Sequence, residues 1–307
     1  RIFTGAPMPE GADAVVPQEH VEVTAEGVRF KSSVRAGAWV RRRGSDVPQG
    51  GVVLKQGARL TPAAIGMVAS IGRAYVKVYR RLRVGIFFSG DELVQPGEPL
   101  PPGGIYNSNR FMIRSLLQEL GCEALDLGNV PDTLEATIEA FESAAASADV
   151  ILTTGGMSVG EEDHIKPAVE AVGSLNVWRV RLKPGKPLAF GEVRGVPFIG
   201  CPGNPVAGFV VFLMMARPYL LRTMGLTDID VKPMAVRADF DWPKAGDRQE
   251  FVRVRRNEAG GLDLYHTQNS QVLSSCAWAD GLVDIPVGGT VKSGDMVSYY
   301  PFCQFFA

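Results

Sequence analysis

The chain has 307 residues, 46% of them apolar and 21% charged, with a formal net charge of −1. That length suits two or three domains, each able to bury a core, and the near-zero charge supplies no field to attract nucleic acid or an anionic membrane, so a charged ligand must be caught by local groups. Four cysteines (Cys122, Cys201, Cys276 and Cys303) without a C-x-x-C pair argue against a zinc cage or a disulfide scaffold and favour a reducing, cytoplasmic setting. Cys201 fits best as a small buried apolar residue. The longest purely apolar run, Val206 to Ala216, is too short to span a bilayer. No signal peptide is visible, and a chain that begins at Arg1 without a methionine suggests a fragment.

In chain order, residues 1–50 are rich in Gly, Pro and Val. Short alternating pieces, Gly27 to Val34 and Gly37 to Arg42, predict a small β-rich module, with Arg41-Arg42-Arg43 as a solvated edge. Residues 51–81 form a connecting α/β layer in which Thr61-Pro62 opens a helix running through Met67 to Ile71 between extended runs. A central α/β domain is expected over residues 82–226. Arg83 to Phe88 is an apolar strand ending in Ser89-Gly90-Asp91-Glu92. Asn107 or Ser108 caps a helix whose apolar positions Met112, Ile113, Leu116, Leu117 and Leu120 recur at helical spacing, and Gly121 ends it. Ala124 to Val130 is the next strand. Asp132 with Glu135 three residues on resembles a capping box, a reading at least as strong as a functional one. This alternation predicts a parallel sheet with helices on both faces. Over residues 227–307, short runs at Met234 to Phe240, Phe251 to Arg255, Leu262 to His266, Val283 to Val287 and Met296 to Tyr300 predict a small antiparallel β domain.

The chemistry concentrates between Asp149 and Phe212. The buried strand Asp149 to Thr153 breaks into Thr154-Gly155-Gly156-Met157-Ser158-Val159-Gly160, where glycines let backbone N–H groups approach a ligand, and then into Glu161, Glu162 and Asp163. At about 4 Å and an effective dielectric near 20, a carboxylate facing a phosphate is repelled by roughly 4 kcal/mol, so a bridging divalent cation makes the pairing reasonable. Arg179 to Lys183 reads as a strand leading into Lys183-Pro184-Gly185-Lys186-Pro187, a turn with two lysines. Val196 to Gly200 is another strand, and Pro202-Gly203-Asn204-Pro205 starts a helix reaching about Leu221, with Asn204 as N-cap and unpaired N–H groups on offer to an anion. In an open α/β sheet such groups meet at the carboxyl ends of the strands. His20, His164 and His266 share no ligand spacing, and no Gly-x-x-x-x-Gly-Lys-Ser/Thr loop occurs.

Taken in this order and spacing, the Thr154–Gly160 motif with Asp163, the two-lysine turn and the Pro-Gly-Asn-Pro turn resemble the signatures of the molybdopterin molybdenumtransferases, the MoeA and gephyrin E-domain family. The resemblance covers essentially the whole chain. It implies a mixed α/β protein, a homodimer with its active site between subunits, and molybdate insertion into adenylylated molybdopterin with release of AMP, assisted by Mg2+. It also implies handover of the pterin from the molybdopterin adenylyltransferase. Asp163 and Glu92 match acidic positions expected to hold the metal or the phosphate-cleaving water, with Lys183 and Lys186 as counter-charges. Thr4, Asp46, Asp132, Thr154, Gly155, Gly156, Ser158, Pro202 and Asn204 are implied to bind the pterin and its phosphate, and Arg253 and Ser270 to contribute from the cleft wall. Arg179 stands where the family often has lysine. Family members carry further residues ahead of Thr4-Gly5-Ala6-Pro7, which implies that this polypeptide binds ligand without turning it over. The gephyrin branch supplies the alternative, a scaffold that holds receptor tails.

Overall fold

The structure, a computed structural model, describes residues 1–157 and 163–306 and divides into two compact units, Arg1–Val76 and Lys77–Ala307. In the first unit, β1 (Val21–Thr24) pairs antiparallel with β2 (Gly27–Phe30). The helix α1 (Pro62–Ser70) is capped by the Thr61 hydroxyl, which accepts from the Ala64 amide at 3.2 Å. The predicted β-rich module of residues 1–50 is thus a single hairpin after one short 3-10 turn at Gln18–His20, with turns and irregular backbone elsewhere. Gly37 to Arg42 fails as a strand because Gly37 (φ 81°) and Trp39 (φ 59°) leave the extended region.

The second unit begins with β3 (Arg83–Ser89), β4 (Leu93–Val94), β5 (Ile105–Tyr106), α2 (Ser108–Glu119), β6 (Glu123–Val130), α3 (Leu134–Ser147) and β7 (Val150–Thr154). It continues through α4 (Ile165–Val172), β8 (Gly173–Arg179), β9 (Leu182–Lys183), β10 (Pro187–Val193) and β11 (Val196–Cys201). Six of these strands form one sheet in the order β6-β3-β7-β11-β10-β8. Strands β6, β3, β7 and β11 run parallel, as the sequence predicts. The sheet is mixed rather than wholly parallel, because β10 is antiparallel to both β11 and β8. The two-residue turn Arg194-Gly195, with φ 50° and 80°, closes the β10–β11 hairpin where a helical crossover is otherwise needed.

Alternation within the buried strands sends side chains to opposite faces. Val84, Ile86 and Phe88 pack with α2 on one face, while Phe87, Ile151 and Phe198 pack with α3 and α4 on the other. On that second face Phe141 sits edge-on to both Phe87 and Phe198, with ring centroids 4.9 Å apart in each pair. At the edge remote from the glycine turn, Asp149 receives the Arg83 amide at 2.9 Å and the Arg80 guanidinium, which holds its carboxyl well below the usual range.

A continuous helix follows over Pro205–Thr223, comprising α5 (Pro205–Val211), a π-turn at Phe212–Ala216 and α6 (Arg217–Thr223). Pro218 lacks the amide that would close the regular ladder, which accounts for the widened turn before it. Its 19 residues are long and apolar enough to cross a membrane, yet 61% of the apolar window is buried inside the fold, as befits a core helix. Strands β12 (Met234–Arg237), β13 (Gln249–Arg256), β14 (Leu262–Leu264), β15 (Gly281–Ile285) and β16 (Met296–Pro301), with helix α7 (Ser274–Trp278) before β15, complete the chain. They form an antiparallel sheet ordered β12-β16-β15-β13-β14, to which β9 adds in parallel beside β13. Phe251, Leu282 and Phe305 join the same core cluster as Val206 and Phe212.

Phe141→Ala removes the middle ring of the aromatic trio and is expected to cost about 4 kcal/mol of stability. Urea unfolding monitored by circular dichroism measures it, and a loss under about 1 kcal/mol would show that this face of the sheet does not depend on that ring.

Candidate active site

The registers bring four strand ends to one edge. Ser89 lies opposite Val130, Phe88 opposite Thr154, and Thr154 opposite Cys201. Because β8 runs parallel to β11, its end at Arg179, paired with Pro187, lies at this edge too. The two-lysine turn therefore shares the edge with the loops after β3, β6, β7 and β11, all within the Lys77–Ala307 unit.

Gly155 sets how tightly these loops pack. It has φ 93°, and a Cβ on it would stand 2.5 Å from the Ser89 carbonyl oxygen, so no other residue fits without moving that backbone. Gly156, at φ 58°, lies as close to the Ile165 side chain. Thr153 donates to the Phe87 carbonyl at 2.8 Å, and the Asn109 amide group donates to the Gly203 carbonyl at 2.7 Å and to Thr154 Oγ1 at 3.4 Å. Asn109 thus bridges the first turn of α2 to both glycine-bearing loops. Asn107, two residues earlier, caps α2 by accepting from the Arg110 amide at 3.0 Å. The sequence points to the cap, but nothing in it sets Asn109 apart.

The acids at this edge have distinct surroundings. Asp132 does not cap α3. The Thr133 hydroxyl does so, accepting from the Ala136 amide at 3.2 Å. Asp132 instead accepts from the Ser89 hydroxyl and, at 3.2 Å, from the Asp91 amide, while its own amide donates to Asp91 at 3.1 Å. Among the described residues neither Asp163 side-chain oxygen has a well-formed hydrogen bond, although both atoms are buried and the residue as a whole is half-buried. Burial is the largest influence on this carboxyl and pushes it up to about 6; the Ile165 amide and His164 pull it down, and the charge of Asp132 pushes it up again. Among the described residues, the acid that Asp163 feels is Asp132. Glu92 is exposed and folds back over Gly90.

The remaining candidates are placed as follows. Lys183 is engaged by Glu250, with 3.0 Å between Nζ and Oε2. Lys186 and Arg179 are exposed, and no ion pair engages either among the described residues. Pro202 is buried and Asn204 exposed. Asn204 occupies the N-cap position, but its side chain makes no capping bond; the Val206 amide donates to the Ser270 carbonyl at 3.1 Å instead. Fewer N–H groups are open to an anion than the sequence suggests. Arg253 is 1% exposed, its guanidinium donating to Ser275 Oγ at 3.1 Å and the Asn269 carbonyl at 3.2 Å, so it braces the loop carrying Ser270 and does not line an open wall. Thr4 and Asp46 are exposed in the Arg1–Val76 unit. Ser158, with Glu161 and Glu162, lies outside the described residues. Cys201 is fully buried, which pushes its thiol up to about 12, in keeping with a small core residue.

The site's chemistry is thus an orphaned carboxylate and a second acid beside a glycine turn, with lysines farther along the same edge. The chain resembles known proteins along nearly its whole length. Residues 1–72 match the MoeA N-terminal region (domain I and II), residues 85–222 the probable molybdopterin binding domain, and residues 235–302 the MoeA C-terminal region (domain IV). The chain is 40% identical to the molybdopterin molybdenumtransferase of Haemophilus influenzae, over 98% of this chain and 76% of that protein. The chain belongs to the molybdopterin molybdenumtransferase family. Molybdopterin molybdenumtransferase 2 of Mycobacterium tuberculosis is 35% identical, over 93% of this chain and 72% of its own length. The molybdopterin biosynthesis MoeA protein of Pyrococcus horikoshii OT3 superposes with a TM-score of 0.81 at 27% identity, covering 98% of this chain and 74% of that one.

A half-buried carboxylate that feels a second acid has the oxygen chemistry to take a hard divalent cation. Among the described residues no three His, Cys, Asp or Glu side chains cluster as a cage.

The fold holds the Asp163 proton more tightly than the unfolded chain does. Stability is therefore expected to fall as pH rises from about 4 towards about 6, with the ionised carboxylate weighing on the fold above that. Asp163→Asn is expected to flatten this segment of the plot of thermal midpoint against pH and to raise the midpoint at pH 8. Excess magnesium is expected to raise the wild-type midpoint at pH 8 but not that of the variant. Identical pH profiles for the two proteins would contradict the assignment.

Proposed function

We propose that this chain acts in molybdenum cofactor biosynthesis as a molybdopterin molybdenumtransferase. It takes adenylylated molybdopterin and molybdate, leaves molybdenum on the pterin dithiolene and releases AMP. The orphaned Asp163 carboxylate beside the Gly155-Gly156 turn carries this reading. A buried acid without a partner is costly unless something charged arrives to meet it, and a phosphate-bound cation is such a partner.

The substrate's length fits the edge. Strands β7 and β8 are three places apart in the sheet, about 14 Å at ordinary strand spacing, so one elongated ligand spans from the Asp163 loop to the two-lysine turn. Magnesium held by Asp163, with Asp132 and Glu92 on the loops after the neighbouring strands β6 and β3, would neutralise charge on the phosphoanhydride oxygens. The protein's own groups do the rest. The glycine turn brings backbone close to the ligand over the buried Thr154, the exposed Asn204 stands at the start of α5, and Lys186, which no ion pair engages among the described residues, offers a cation to the oxyanion. Lys183, Arg179 and Ser270 stand along the same edge. Thr4 and Asp46 are assigned to the pterin on the family motif alone. The curated relatives are named as transferases, which favours catalysis over the scaffold alternative.

The same reading includes a cytoplasmic homodimer that receives its pterin from an adenylyltransferase. Exposed apolar side chains on the Arg1–Val76 unit, among them Val23 (82%), Trp39 (74%) and Ile65 (56%), support a subunit contact there.

The test is release of AMP when the chain is mixed with adenylylated molybdopterin, molybdate and magnesium. Asp163→Asn and Lys186→Ala are each expected to lower the rate about 100-fold or more with the circular dichroism spectrum retained. Rates within twofold of wild type would remove the residue concerned from the reaction. Sedimentation is expected to give twice the chain mass, and Ile65→Glu to reduce it to one.

A further inference from the structure

Glu250 has no part in the site described above, yet its setting is unusual. It is 5% exposed, which a carboxylate tolerates only with a close partner. Lys183 is that partner, and the strand register enforces the match. In the parallel pair of β9 and β13, Glu250 is the direct neighbour of Lys183, and the Gln249 amide donates to the Arg181 carbonyl at 3.1 Å one step earlier. The other carboxylate oxygen lies so close to Gly246 that a Cβ there would collide with it, so the side chain is clamped from both sides. Lys183 is the exposed member, with 44% of its side chain accessible against 7% for Glu250. Both line a cavity of about 590 Å³ bounded by the 242–248 loop. Anything entering from solvent meets the ammonium before the carboxylate.

We infer that Glu250 is a positioning residue for the proposed reaction. It fixes the Lys183 ammonium at the mouth of this cavity, and the ammonium keeps N–H donors free for a tetrahedral oxyanion. A lysine left to wander must be ordered by each incoming anion, whereas one already held by a buried carboxylate is ordered beforehand. The two lysines of the turn then differ in role: Lys183 is pinned to the C-terminal sheet, and Lys186 is free to follow the ligand. The inference rests on the reading that Lys183 meets an oxyanion substrate.

A double-mutant cycle tests it, with calorimetric titration of molybdate and AMP release as readouts. Glu250→Gln keeps the shape and removes the charge. It is expected to weaken molybdate binding and lower kcat/KM about tenfold. Lys183→Met is expected to cost more, and the double variant no more than Lys183→Met alone, because Glu250 acts only through that lysine. Losses that multiply would overturn the inference, since Glu250 would then act independently of Lys183. A silent Lys183→Met would instead overturn the reading of the turn itself, and the inference with it. If Glu250→Gln does not fold, Glu250→Asp carries the same test, because it keeps the charge but withdraws it by one methylene. A KM for molybdate raised severalfold at constant kcat is expected, and wild-type constants would overturn the inference.

Discussion

The site depends on one close approach of backbone to backbone, where Gly155 passes over the Ser89 carbonyl at a distance that leaves no room for a side chain. That contact presses the loop after β7 onto the end of β3, and neighbouring contacts extend it sideways. Asn109 fastens Gly203 and Thr154 together, and Ser89 with Asp91 fastens Asp132. The loops after four parallel strands thus form one surface. Its members are held by short polar side chains and backbone groups, which fixes them more firmly than contacts between long side chains would.

The same packing creates the site's main liability. Asp163 is driven into a place where, among the described residues, neither oxygen finds a well-formed hydrogen bond and the Ile165 amide offers a weak one, and burial raises its affinity for a proton. A fold selected for stability alone has an obvious remedy, an apolar residue or an asparagine at that position. Keeping the acid makes physical sense when a cation bound to substrate offsets the penalty, so the strained group and the proposed chemistry explain each other. Arg253 shows the opposite solution. Its charge is buried more deeply, but it is satisfied by Ser275 and the Asn269 carbonyl and so serves to hold a loop.

Much of this was legible from residue order. The parallel core, α2 with its Asn107 cap, the antiparallel C-terminal sheet and the convergence of loaded turns on one edge all follow from periodicity and turn chemistry. The misreadings share a cause, which is that local pattern competes with tertiary partners. Asp132-Thr133 offers two capping residues in succession, and Asp132 is diverted because Ser89 and Asp91 lie within reach. Asn204 has the chemistry of a cap, but the Ser270 carbonyl, 66 positions away in sequence, takes the amide. Alternation at Gly37 to Arg42 is overridden by positive φ angles. Nothing local in the sequence reveals that β9 lies beside Glu250.

The departure from an all-parallel sheet has a functional logic. In a run of βαβ units each strand's carboxyl end leads into a helix, so every loop at the active edge also starts a helix. Here the chain leaves β8 at that edge and returns through β10 without a helix between them. The intervening turn is left free to carry lysines and to lend two residues, as β9, to the C-terminal sheet. That loan makes the two sheets share a strand-to-strand ladder just where the cations sit. Motion of the C-terminal sheet relative to the central one must therefore move Lys183 with β13, while Asp163, on the loop after β7, stays with the central sheet. The spacing between acid and cation is thus set by the joint between two sheets, and a ligand that spans both fixes that joint when it binds.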